Sequence, residues 1–216
     1  CQSEAVVFDD GQLKNASFNT SQGFGLRAVC GEVTGYSHAS DLSEEAIKRA
    51  AETVKTVHAG QGGNMSSPPA GTNTQLYTDD NPLSLVEFET KVKLLTDMDA
   101  YARSKDERVA QVSASISGSW QAVQVLRPDG VRAADIRPLV RLNVTVMVAQ
   151  GDRMETGSYG AGGRVDYGEY LKEETWQEAV DKALRLALVN LESVPAPAGE
   201  MQVILGSGWP GILLHE

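Results

Sequence analysis

Residues 142–148 read LNVTVMV. Leu142, Val144, Val146 and Val148 alternate with Asn143, Thr145 and Met147, a period of two that belongs to a strand with one buried face. Gly151-Asp152 turns the chain back towards Met154–Tyr159. Upstream, from about Val109, Val112, Ala114 and Ile116 alternate with polar residues in the same way. After a break at Gly118-Ser119, Gln121–Leu126 reads as a further strand, Pro128-Asp129-Gly130 as a turn and Val131–Ile136 as a short strand. The region is an antiparallel meander with one face wet or under helices.

Before the meander, Ala5–Phe8, Leu13–Asn19, Gly23–Val29 and Glu32–Ser40 read as four antiparallel strands, the first two joined by the hairpin signal Asp10-Gly11. A helix is predicted from Ser43 to about His58, capped by Asp41 or Ser43, with Ala46, Ile47, Ala50, Ala51, Val54 and Val57 as its buried stripe. A second helix follows a Ser84/Glu87 capping box and buries Val92, Leu95, Met98 and Ala102. Its charges, Lys91, Lys93, Asp97 and Asp99, are expected on a solvated face. A third helix, Thr175 to Val194, starts at a Thr175/Glu178 capping box. The expected class is therefore α+β: an antiparallel sheet with about three packed helices, residues 1–198 forming one scaffold domain. Residues 59–81, rich in Gly, Ser, Pro and Thr, read as a long flexible loop. Pro195-Ala196-Pro197-Ala198-Gly199 reads as a boundary.

The chain has 216 residues, 41% hydrophobic and 22% charged, enough to bury a core. Its 19 basic and 29 acidic residues give a net charge of −10. An acidic chain without a basic run argues against nucleic acid or an anionic membrane as partner, and no apolar run reaches the roughly 20 residues that span a bilayer. Two cysteines, Cys1 and Cys30, make neither a disulfide framework nor a metal pair, which fits a cytoplasmic protein.

Two stretches carry candidate chemistry. In Gly160-Ala161-Gly162-Gly163-Arg164, Gly162 and Gly163 would bring backbone N–H groups close to a ligand and Arg164 would hold a carboxylate or phosphate; the structural alternative is a bent strand end. In Met201–Glu216, MQVILGSGWPGILLHE, Val203-Ile204-Leu205 reads as a strand, Gly206-Ser207-Gly208 breaks it, and Pro210 opens a helix running through Ile212, Leu213 and Leu214 to His215 and Glu216. A histidine beside a glutamate pairs a metal ligand type with a general-base type. Alone, the pair is equally a helix end that happens to carry both.

The segment LGSGWPGILLHE resembles the start of the active helix of the TldD/PmbA family of zinc metallopeptidases, on the TldD side. The blocks GFGLRAVCGEVTGYSHAS (Gly23–Ser40), RPLVRLNVTV (Arg137–Val146), GAGGR (Gly160–Arg164) and ALVNLESVPAPAG (Ala187–Gly199) extend the resemblance in the same order. It implies a zinc peptidase acting on unfolded or extended peptides, with His215 as a zinc ligand and Glu216 as the catalytic carboxylate. Zinc would acidify its bound water and polarise the scissile carbonyl, and the glutamate would move the water's proton to the leaving amine. The family's remaining ligands follow further on, so residues 199–216 are expected to open a β-rich metallopeptidase domain, and the chain is expected to be an amino-terminal fragment, inactive by itself and without tightly bound zinc. The family's His-Glu-x-x-x-His spacing puts its two histidines about 140° apart on an ideal helix, so a local irregularity is expected there.

The resemblance also implies a dimer with an identical or paralogous subunit. Two other readings stand beside the enzyme: a non-catalytic pairing subunit like the PmbA/TldE side, which lacks the His-Glu motif, and a regulatory protein-binding module in the sense of the family's "DNA gyrase modulator" label.

Overall fold

The computed structural model describes residues 1–55, 75–208 and 210–215. In chain order the elements are β1 (Gln2–Asp9), β2 (Gln12–Thr20), β3 (Phe24–Cys30), β4 (Val33–Ala39), α1 (Glu44–Lys55), a 3-10 turn (Pro82–Ser84), α2 (Phe88–Lys105), β5 (Val109–Leu126), β6 (Arg132–Gln150), β7 (Arg153–Gly163), the one-turn α3 (Gly168–Leu171), α4 (Glu173–Leu191) and α5 (Pro210–His215). The α+β class with antiparallel sheets is borne out.

Five strands form one antiparallel sheet in the order β2-β1-β5-β6-β7; β3 and β4 form a separate hairpin. Asp10 and Gly11 both have positive φ, 49° and 76°, as a two-residue turn of the type that matches strand twist requires. The alternation read from residues 142–148 is realised: Leu142, Val144, Val146 and Val148 are buried while Asn143, Thr145 and Met147 are half-exposed. Val112, Ala114 and Ile116 of β5 and Val6 and Phe8 of β1 extend the same layer. Leu94, Leu95, Met98 and Ala102 of α2, and Ala179, Val180, Ala183, Leu184, Ala187 and Leu191 of α4, cover it. Each fully buried valine or leucine there contributes roughly 1.5–3 kcal/mol of transfer free energy. The β3–β4 hairpin is covered separately by Ala46, Ala50 and Val54 of α1. Ser43 caps α1, its Oγ accepting the Ala46 N–H at 3.2 Å, while Asp41 accepts the N–H of Ser43.

Several expectations are corrected. The Gly118-Ser119 break does not occur: β5 runs through it, Gly118 pairing with Glu4 and Val140. The glycine makes room, since a Cβ there would lie 2.3 Å from the Tyr167 hydroxyl. The predicted strand Val131–Ile136 is likewise not separate: from Arg132 on it is the start of β6. Neither capping box forms. Asn81 caps the 3-10 turn that contains Ser84, and α2 begins after Glu87, whose side chain makes no cap hydrogen bond. α4 begins at Glu173, so Thr175 lies inside its first turn, where Glu173 and Glu174 complement the helix dipole. Lys91 and Asp99 are not solvated: they are 2% and 8% exposed, because each has an ion-pair partner. Val203-Ile204-Leu205 forms no strand, having none beside it among the described residues, and Ile204 is 93% exposed. The helix after it does form, but Ile212, Leu213 and Leu214 are exposed rather than buried. Residues 56–58 of the first predicted helix and 59–74 of the predicted loop lie outside the described residues.

Candidate functional site

Three places carry the polar chemistry of the chain. The first is its last helix. Pro210 starts α5 and Gly211 N–H closes a turn on Gly208 O at 2.9 Å; Gly208 takes φ 108°, which its lack of a Cβ permits. The helix ends at His215, which is exposed. Glu216 lies outside the described residues. Among the described residues no three His, Cys, Asp or Glu side chains come together as a metal centre. A catalytic zinc takes three protein ligands; His215 is one donor, so the described residues by themselves do not make a zinc site.

The second place is the end of β7. Gly162 and Gly163 are its last residues, opposite Arg141 and Val140 of β6. A Cβ on Gly162 would lie 2.8 Å from Val140 O, so the strands approach closely there. Arg164 donates from Nη1 to Pro138 O at 3.3 Å and its guanidinium lies 5.0 Å from the Tyr77 ring centroid. Tyr77 belongs to a strap, residues 75–81, that crosses the sheet. The strap is pinned where Trp120 Nε1 donates to Asp79 O at 3.2 Å and Asn81 Nδ2 donates to Gln2 Oε1 at 2.8 Å. Between strap and sheet runs an open groove of about 690 Å³ that Arg164 lines. Of the predicted site residues, Gly162, Gly163 and Arg164 thus share one place. His215 makes no hydrogen bond or ion pair with them.

The third place escaped sequence reading. Lys91 Nζ pairs with the Glu4 carboxylate and lies 4.6 Å from the Tyr167 ring centroid, with Leu83 O at 3.5 Å. The Tyr167 hydroxyl is the one buried side-chain polar atom among the described residues without a well-formed hydrogen bond. Burial above all, then the Glu4 carboxylate, pushes its pKa far above the ordinary phenol range. A signal was available: Lys91 lies four residues before Leu95 and seven before Met98, on the buried stripe itself. The cluster joins β1, α2 and the strap's 3-10 turn at one point. Its chemistry is that of a structural tie.

Comparison with known proteins places this arrangement. The family description "PmbA/TldA metallopeptidase domain 1" matches residues 1–57, and "PmbA/TldA metallopeptidase central domain" matches residues 81–191. The metalloprotease TldD homolog of Haemophilus influenzae is 42% identical over 228 residues, covering 100% of this chain and 46% of that protein. The homolog of Buchnera aphidicola subspecies Schizaphis graminum is 37% identical over 220 residues, covering 99% and 46%. This chain thus spans about half the length of the relatives it matches. A candidate modulator of DNA gyrase from Thermotoga maritima superposes with a TM-score of 0.69 at 14% identity, over 92% of this chain and 44% of that one. TldE from Thermococcus kodakarensis superposes at 0.65 and 17% identity, over 87% and 42%. At those identities the likeness is one of fold. No helix among the described residues is long and apolar enough to cross a membrane. With both domain descriptions matched in order along the strands and helices described above, the chain belongs to the PmbA/TldD metallopeptidase family.

Proposed function

We propose that this chain is the scaffold portion of a TldD-type zinc metallopeptidase subunit that hydrolyses unfolded or extended peptides in the cytoplasm, as one half of a dimer with an identical or paralogous subunit. The observation that carries the reading is the sequence pair His215-Glu216, its histidine ending a proline-started helix, in a chain matching both family domains. His215 would be the first metal ligand and Glu216 the carboxylate that takes a proton from water. Zinc, when bound, would supply an acidified water and a polarised carbonyl. Residues 199–216 would open the catalytic domain, whose further residues complete the ligand set. Gly162, Gly163 and Arg164 would hold substrate at the sheet's end. The 216-residue chain alone is expected to cleave nothing and to bind zinc weakly, since one imidazole is a poor site. No direct nucleic-acid contact is expected of a chain of charge −10.

The test is Glu216→Gln in the full-length protein. Loss of the proton acceptor should lower peptide cleavage by about 10²–10⁴-fold while the protein stays folded. Cleavage at the unaltered rate would remove Glu216 from the mechanism, and no cleavage by the unaltered full-length protein would leave the pairing-subunit reading, which needs no catalytic glutamate.

A further inference from the structure

The β7-side edge of β6 is only partly used. β7 stops at Gly163, opposite Val140, whereas β6 begins at Arg132. From Arg132 to Leu139, β6 has β5 on one side and, among the described residues, no strand on the other. Pro138 explains the stop, because it has no N–H to give a neighbouring strand. Its carbonyl does point to that side, since Arg164 Nη1 donates to it. By the two-residue alternation of a strand, Ile136 and Ala134 turn their N–H and C=O the same way.

Residues 133–137 of that edge line the open groove together with Val123 and Val125 of β5, so the groove reaches from the edge over the neighbouring face, and Leu76 and Tyr77 of the strap line it too. The edge from Ala133 to Arg137 has room for roughly four extended residues at about 3.4 Å each. A strand lying there cannot continue past Pro138, because the end of β7 occupies the next position. The groove is therefore blind at the Arg164 end. The charges agree. Arg137 is neutralised by Asp135 at 2.6 Å, and Asp79 accepts a hydrogen bond from Gln75. Among the described residues no carboxylate pairs with Arg164, whose guanidinium is held by Tyr77 and Pro138 O with further donors to spare.

We propose that the groove takes the last few residues of an extended peptide as an added strand on the free edge of β6, with the terminal carboxylate on Arg164. The peptide would run parallel to β6, its backbone on Ile136 and Ala134 and its apolar side chains against Leu76 and Tyr77. As a place that holds substrate, the site rests on the peptidase reading above; as a binding site, it is measured without catalysis.

The experiment is fluorescence anisotropy on the 216-residue chain, with a fluorescein-labelled hexapeptide of alternating valine and threonine, as the free acid and as the C-terminal amide. The free acid should bind about tenfold more tightly than the amide, the scale of one charge-assisted pair. Arg164→Gln should reduce the acid to the level of the amide, and Ile136→Pro, which deletes an edge N–H, should weaken both. Equal binding of acid and amide by the unaltered chain, no binding of either at millimolar concentration, a preference that survives Arg164→Gln, or indifference to Ile136→Pro would overturn the proposal. None of these outcomes bears on the metal chemistry, which stands or falls with Glu216.

Discussion

Gly157 of β7 lies directly under Ala183 of α4: a Cβ on Gly157 would stand 2.1 Å from the Ala183 carbonyl oxygen and 2.3 Å from the Ala187 nitrogen. The obstacle is helix backbone, which cannot swing aside like a flexible side chain. The helix therefore rides closer to β7 than any residue with a side chain allows, and Ala183 and Ala187 complete the close contact. Arg153 fastens the far end, donating to Asn190 O at 2.8 Å and Ser193 O at 3.0 Å.

Gly157→Ala should accordingly lift α4 from the sheet. Overpacking of this kind costs about 3 kcal/mol, or a fall in Tm of roughly 6–12 °C for a chain of this size. Calorimetry on the single variant checks it. A Tm within a degree of the original would mean that the helix shifts at no cost.

The Lys91–Glu4 pair should show strong coupling. Lys91 is 2% exposed and Glu4 14%, so Lys91→Met leaves a desolvated carboxylate without its cation, at a cost of about 3–5 kcal/mol. Replacing both, with Lys91→Met and Glu4→Gln, removes the stranded charge and should recover much of that loss. Urea denaturation of the two single variants and the double variant gives the coupling. Simple additivity would show that the pair is not a unit.

Asp106 sets an acid limit. It joins the end of α2 to the start of β5, accepting from Arg108 Nε at 2.9 Å, Arg108 Nη2 at 2.7 Å and the Arg108 N–H at 2.9 Å. The Arg108 side-chain hydrogen bonds first, then the backbone one, lower its pKa from 3.8 to about 2. A carboxyl held down in the folded state stabilises the fold fully above its ordinary value and loses that contribution as pH falls towards the folded value. Asp106→Asn should therefore flatten the part of the stability profile between about pH 4 and pH 2, read as Tm against pH. An unchanged acid slope would contradict the assignment.

How much of this was legible depended on whether the signal was local. The alternation Leu142–Val148 and the Asp10-Gly11 turn are written in neighbouring residues, and both formed as read. The capping boxes failed because Asn81 competed for one helix entry and a pair of acids moved the other upstream. Lys91 was misplaced because its partner Glu4 is far away in sequence, so only the pairing of β1 beside β5 reveals why a lysine sits on an apolar stripe. Gly118 looked like a break because the tyrosine that needs its space comes from after β7. At the candidate site, the glycines and Arg164 were visible as a motif. The strap that orients Arg164 was not, since Tyr77 sits in a stretch with no periodicity. The exposure of Ile212, Leu213 and Leu214 has the same character: their sequence is that of a buried helix, and burial depends on a surface the described residues do not supply.

The central claim is that His215 is a metal ligand of a peptidase centre. Zinc content of the purified full-length protein, beside its His215→Ala variant, measures it most directly. The account predicts about one zinc per subunit in the unaltered protein and its loss, together with peptide cleavage, in the variant. A variant that kept both its zinc and its cleavage would contradict it.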